Sequence, residues 1–97
     1  MYEVEQTSEY DAWYLSIRDR TTRGRITARV LRLKVGNFGD AKAVGSGVHE
    51  LRMTFGPGYR IYFTRRGVRI ILLLCGGDKG SQQRDIARAK QIALEME

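Results

Sequence analysis

Met1–Gln6 sets Tyr2 and Val4 on one side and Glu3 and Glu5 on the other, an alternation that predicts a half-buried strand. Ser8 then opens a helix, with Asp11 three positions on as a variant capping box. Tyr10, Trp13, Tyr14 and Ile17 follow at helical spacing, so these aromatics are assigned to the core and not to a stacking platform for bases. A second helical stripe, Ile26, Val30 and Leu33, has Arg25, Arg29 and Arg32 beside it, and Gly36-Asn37 supplies its C-cap. The two helices are expected to form a hairpin with the arginines facing out. Residues 36–47 hold glycines at 36, 39, 45 and 47 and read as an ordered loop.

The second half of the chain reads as strands. Across residues 48–55, His49, Leu51, Met53 and Phe55 point one way and Val48, Glu50, Arg52 and Thr54 the other. Gly56-Pro57-Gly58 is a turn, because glycine admits positive φ and proline presets the bend. Tyr59, Ile61 and Phe63 then alternate with Arg60, Tyr62 and Thr64. After an Arg66-Gly67 turn, residues 68–75 (VRIILLLC) are apolar on both faces, as in a central strand covered on both sides, and Gly76-Gly77 ends it. Ser81 can cap a last helix whose stripe is Ile86, Ala89 and Ala93. The predicted order is βααβββα, an α+β fold in one small domain spanning residues 1–97, with a mainly antiparallel sheet packed against helices.

Charge sharpens this picture. Lys and Arg outnumber Asp and Glu by 17 to 11, a formal net charge of +6. Residues 1–16 carry four acids and no bases, whereas residues 18–34 carry seven bases against Asp19 alone. So concentrated a positive field suits a polyanion, and it nominates Arg23, Arg25, Arg29 and Arg32 as nucleic-acid contacts, although a solvated helix face has the same composition. Cys75 is the single cysteine and lies in an apolar run, where it behaves as a small hydrophobe. With His49 as the single histidine, no zinc site can be assembled from soft ligands, and no metal or other cofactor is expected. The first stretch is charged and lacks the apolar segment of a signal peptide, and residues 70–75 are too short to span a bilayer, so a cytoplasmic protein without membrane partners is expected.

Candidate chemistry gathers on the strands. If Phe55 and Tyr59 bracket the turn symmetrically, Thr54 sits opposite Arg60 and Arg52 opposite Tyr62, giving one face two guanidiniums and a phenol. Such a face can grip a phosphodiester, since Arg offers a planar fork and keeps its charge; it can equally be a solvated face with local ion pairs. Residues 76–83 (GGDKGSQQ) join the long strand to the last helix and form either an anion cradle with Lys79 or a plain turn; the P-loop spacing is absent. His49 lies with Leu51 and Met53 and is assigned a structural role, while Asp78 is either a base or a partner of Lys79.

These segments together resemble a known family. GVHELRMTFGPGYRIYF (47–63), IILLLCGGDKGSQQRDIARAK (70–90) and NFGDAKAVGSGVHELR (37–52) are similar to the RelE/ParE superfamily, closest to its HigB-like branch of addiction-module killer proteins. The resemblance covers nearly the whole chain and implies a RelE-like fold. It also implies the toxin of a type II toxin–antitoxin module. RelE-like members are mRNA interferases, endoribonucleases that cleave messenger RNA, generally in the ribosomal A site; ParE-like members inhibit DNA gyrase. Carried over by motif, Arg52 and Arg60 match positions that bind or stabilise phosphate, and Lys79 matches the basic residue after the last strand. Two departures stand out. Val48 and Glu50 replace the lysines that precede the Leu-Arg pair in RelE, and the tyrosine of its last helix falls near Asp85. The acid/base set is thus incomplete, with Asp78, His49 or Tyr62 as substitutes. Metal-independent cleavage would then use Arg52, Arg60 and Lys79, gathered in one hollow, to neutralise the phosphorane. The implied partners are a neutralising antitoxin, a small helix-turn-helix protein, and through that complex its own promoter DNA.

Overall fold

The computed structural model describes residues 1–96; Glu97 lies outside the described residues. Nine segments follow one another: β1 (Glu3–Gln6), α1 (Ser8–Ser16), α2 (Arg20–Lys34), β2 (Ala41–Gly45), β3 (Val48–Arg52), β4 (Tyr59–Arg66), β5 (Ile70–Asp78), a 3₁₀ turn (Lys79–Ser81) and α3 (Gln82–Glu95). The strands form one sheet in the order β1-β5-β4-β3-β2, parallel only at β1–β5. The fold is α+β as expected, with one strand more than the sequence pattern yields. The glycines around residues 36–47 mask β2, whose Ala41, Lys42 and Ala43 pair with Leu51, Glu50 and His49. Its side chains are small or exposed, so no alternation betrays it.

Two apolar layers sit on opposite faces of this sheet. Tyr10, Ile17, Ile26 and Leu33 of the α1–α2 side pack on Leu51, Met53, Ile61, Phe63, Ile71 and Leu73. On the other face Ala89 and Ile92 of α3 pack on Val48, Tyr62, Leu72, Leu74 and Cys75. The long apolar strand is therefore covered on both sides, as its composition requires. Burial pushes the Cys75 thiol up to about 12, in keeping with a small hydrophobe. A bulge lets both Leu74 and Cys75 face α3, since Tyr62 pairs with Cys75 and Phe63 with Leu73.

Local signals explain most element ends and correct a few. Thr7, not Ser8, caps α1: its hydroxyl accepts from the Tyr10 N–H at 3.0 Å and donates to the Leu74 carbonyl at 2.6 Å. Asp19 caps α2 by accepting from the Thr22 N–H. Gly36, at φ +79°, follows the C-cap Val35; its N–H reaches Leu33 O while that of Asn37 reaches Arg32 O, a Schellman arrangement. The Tyr14 hydroxyl and the Thr27 hydroxyl, 2.8 Å apart, join α1 to α2. Ser81 stands at the N-cap of α3 but makes no capping bond, because its hydroxyl donates to the Asp85 carboxylate.

Gly76 and Gly77 do not end β5, which runs on to Asp78. Their role is close packing. A methyl on Gly76 would overlap the Trp13 indole, and one on Gly77 the Asp85 carboxylate. Gly24, inside α2, faces open space. Gly76→Ala is therefore expected to destabilise the protein by about 1–3 kcal/mol through overpacking, and Gly24→Ala to stabilise it by about 0.5–1 kcal/mol. Urea denaturation of both variants checks the opposite signs.

Candidate active site

The β3–β4 register decides which of the strand residues meet. Arg52 pairs with Arg60 and Glu50 with Tyr62, closed by Met53 N–H to Tyr59 O at 3.0 Å. The predicted pairing, Thr54 with Arg60 and Arg52 with Tyr62, is out by two residues. The loop is centred on Gly56, which takes φ +60°, and not on Pro57. A two-residue offset preserves parity, so Arg52, Arg60 and Tyr62 still share a face. Its middle, however, is not solvated: α3 packs over Tyr62, and Glu50 and Arg60 are buried with it.

Beneath α3 lies a buried polar network that the alternation placed but did not identify. Glu50 has no exposed surface, and its Oε2 accepts from the Tyr62 hydroxyl at 3.1 Å and from Gln82 Nε2 at 2.8 Å. Its Oε1 stands 4.0 Å from Arg60 Nε, and neither of these two atoms has a hydrogen-bond partner. Arg60 is 9% exposed, and one terminal nitrogen donates to the carbonyls of Met53, Gly58 and Tyr59. Arg60 thus clamps the β3–β4 loop from inside. Burial, then the Glu50 charge and hydrogen bond, raises the Tyr62 pKa above the ordinary phenol range. The residue is fully buried and stays protonated, a donor to Glu50 closed to substrate.

The other strand candidates are also engaged. Asp78 accepts from the Gly80 N–H at 2.7 Å and caps the 3₁₀ turn. Lys79 is exposed and approaches Gly58 on the same side as the Arg60 guanidinium, and it lines a shallow depression with Ser81, Gln82 and Arg84. His49 stacks on Phe63 with centroids 5.3 Å apart, and burial, aided by Arg65, lowers its pKa. Arg52 and Lys79 line separate cavities, while the buried Arg60 has Arg52 as its strand partner and Lys79 near it at Gly58, so the three expected cations lie close together without lining one common cavity among the described residues. The cause is α3, whose packing turns the middle of the polar face into core.

Arg52, the last residue of β3, lines a separate cleft. A cavity of about 450 Å³ opens between α2 and the end of β3, lined by Arg25, Arg29, Arg32, Arg52, Asp40 and Phe55 among others. Spacings of four and three residues bring Arg25, Arg29 and Arg32 onto one helix face. Arg23 lies off it, with its carbonyl turned to the Tyr14 hydroxyl. Arg29 is half-buried and does not simply face out as the hairpin reading has it: it donates to Phe38 O at 3.3 Å and Arg52 O at 3.1 Å, stitching α2 to β3. Burial and then Arg32 lower its pKa, against a smaller opposing pull from Asp40. Arg25 places Cζ 3.9 Å from the Phe55 ring centroid. Asp40 Oδ1 accepts from Arg52 Nε at 3.2 Å and from a terminal nitrogen at 2.9 Å. That hydrogen bonding first, and the Arg52, Arg29 and Arg60 charges after it, hold the Asp40 carboxyl below its ordinary range.

Sequence reasoning missed Asp40, Phe55 and Glu50 as site residues. Asp40 had no visible signal, because it precedes the unrecognised β2. Glu50 had one: an acid on the same strand face as two arginines, Arg52 and Arg60.

No protein-family model matches the chain. A protein of Haemophilus influenzae (strain ATCC 51907 / DSM 11121 / KW20 / Rd), described as "Uncharacterized protein", is 40% identical over 94 residues, covering 97% of this chain and 95% of that one. The chain belongs to the family of that protein. Identity at this level over nearly full length extends the fold to the relative.

Two outcomes follow from the geometry. Arg60→Ala should cost about 3–5 kcal/mol by leaving Glu50 buried without its counter-charge, whereas Arg52→Ala, at a half-buried residue paired with the exposed Asp40, should lower the urea midpoint only slightly. In Arg52→Ala the Asp40 carboxyl should titrate upward, toward its ordinary value, by carbon-detected NMR. Because the folded pKa is depressed, the Asp40 contribution to stability is present above the unfolded pKa and lost as pH falls through the folded one. That low-pH loss should be weaker in Arg52→Ala.

Proposed function

We propose that this protein is the toxin of a type II toxin–antitoxin module, of the RelE/ParE kind and its HigB-like branch, and that it acts on RNA as a cytoplasmic mRNA interferase. The observation that carries the reading is the cleft itself: four arginines from α2 and β3 around one aspartate, in a chain of net charge +6. Arginine forks bind phosphate oxygens bidentately and keep their charge at any physiological pH, which suits a phosphodiester backbone. The resemblance along 37–90 supplies the toxin assignment; the cleft supplies the polyanion.

Cleavage in this reading needs no metal. The ribose 2′-oxygen attacks the adjacent phosphorus and the bond to the 5′-oxygen breaks, leaving a 2′,3′-cyclic phosphate and a 5′-hydroxyl. Water takes the 2′-hydroxyl proton and returns one to the leaving oxygen. Arg52, with Arg25 and Arg32, stabilises the charge that builds on the phosphorane. Arg60 supports this from within by fixing the loop that carries Phe55, and Lys79 holds a neighbouring stretch of RNA. The cognate antitoxin, a small helix-turn-helix protein, covers the basic surface, and the complex then binds operator DNA.

One observation favours a second reading, a ParE-like gyrase inhibitor without catalysis. Tyr62 is buried, Asp78 caps a turn, and Asp40, the carboxylate in the cleft, is held at a low pKa by Arg52, which makes it a weak base.

Induced expression separates the two: mapped transcript ends and a collapse of translation before DNA replication are expected, and the reverse order would favour gyrase. Arg52→Ala should stay folded and lose the growth arrest; a folded, fully toxic variant would overturn the site. In vitro, Arg32→Gln should weaken binding to single-stranded RNA and reduce the slope of log affinity against log salt by about one.

A further inference from the structure

The α2–β3 cleft is asymmetric along its length, and the asymmetry points to a more specific ligand than a bare anion. One end is marked by Arg32, two turns along α2 from Arg25, and Arg52 also lines the cleft. Arg52 keeps one terminal nitrogen free of the Asp40 bonds. The other end is formed by Phe55, half-buried, with the exposed Arg25 over its ring and Tyr59 behind it at 5.9 Å between centroids. A guanidinium held against an aromatic ring is pre-ordered, and its outer side offers a flat, weakly hydrated cationic surface on which a nucleobase can stack. Arg29 donates to the Phe38 and Arg52 carbonyls and so ties α2 to β3 between the two ends. The volume, about 450 Å³, falls within the range of small-ligand sites.

We propose that this cleft is a nucleotide subsite for single-stranded RNA: one phosphate sits on Arg32 and Arg52, and the attached base stacks on Arg25 over Phe55. The inference rests on the RNA-directed reading for the identity of the polymer, and on the cleft alone for a ligand joining phosphate to an aromatic base. It makes Phe55 a residue that contacts substrate through the guanidinium it supports. It also explains why a phenylalanine is left partly open beside a cluster of arginines. A duplex would not satisfy this subsite, since its bases are already stacked on one another.

The test is an NMR titration of the whole chain with adenosine monophosphate and, separately, with inorganic phosphate. The nucleotide should bind about tenfold more tightly than phosphate, within the range of base–aromatic stacking, and should shift the Phe55 ring and the Arg25 side chain. Phosphate should shift Arg32 and Arg52 alone. Phe55→Leu and Arg25→Gln should each bring the nucleotide down to the affinity of phosphate; Arg25→Gln keeps the test open should Phe55→Leu fail to fold. Equal affinity of the two ligands, nucleotide shifts at other places, or no binding of either would overturn the subsite. The functional reading fails separately. If induced cells show no RNA cleavage while the nucleotide binds with the expected preference, that reading falls and the subsite stands. If RNA is cleaved and both variants bind it as the parent does, the subsite falls and that reading stands.

Discussion

Everything on the α3 side of the sheet depends on the charge pair between Glu50 and Arg60. A carboxylate with no exposed surface is tolerated when its counter-charge and hydrogen-bond donors are fixed by the fold. Here Arg60 comes from the adjacent strand, the Tyr62 hydroxyl from two residues further along it, and Gln82 from the first turn of α3. The same Arg60 ties down the β3–β4 loop through three backbone carbonyls. One ion pair thus couples strand register, loop shape and helix docking, and it does so with groups that a sequence reading assigns to chemistry.

That commitment moves the chemistry elsewhere. With Arg60 and Tyr62 drawn into the interior, Arg52 stays partly open at the end of β3, and the fold delivers it to the arginine stripe of α2. Arg29 makes the link by donating to the Arg52 carbonyl, so the cleft is held together by one of its own cations. Asp40 moderates the resulting field. Without a carboxylate, four guanidiniums around one cavity would repel one another across a few ångströms. The cleft is therefore partly pre-assembled, with Arg29 and Arg52 held by hydrogen bonds and Arg25 by the Phe55 ring before any ligand arrives, which lowers the ordering cost of binding.

Two kinds of residue separate what was legible along the chain from what was not. Stripes such as Ile26–Val30–Leu33 and alternations such as Leu51–Met53 and Ile61–Phe63 report burial directly, because period and side-chain direction are linked in helix and strand. Those assignments agree with the core. The strand β2 escaped because its side chains are small or exposed, so it exists through hydrogen bonds to β3 and leaves no pattern. The glycines at 76 and 77 read as a strand end, yet they are there for the Trp13 ring and the Asp85 carboxylate, partners 63 and 8 residues away.

The sequence by itself determined the element types apart from β2, the apolar faces and the concentration of arginine in α2, and it carries the resemblance on which the proposed function rests. Local propensity and periodicity are properties of neighbouring residues, and a single chain displays them in full. Tertiary structure alone decided which polar residues face water. Whether the face of Glu50, Arg60 and Tyr62 is surface or core depends on where a helix that starts 20 residues after Tyr62 lands. Whether Arg52 joins Lys79 or Arg32 depends on packing between segments that share no local pattern. Burial is a relation between distant parts of the chain, and charge changes its meaning with it.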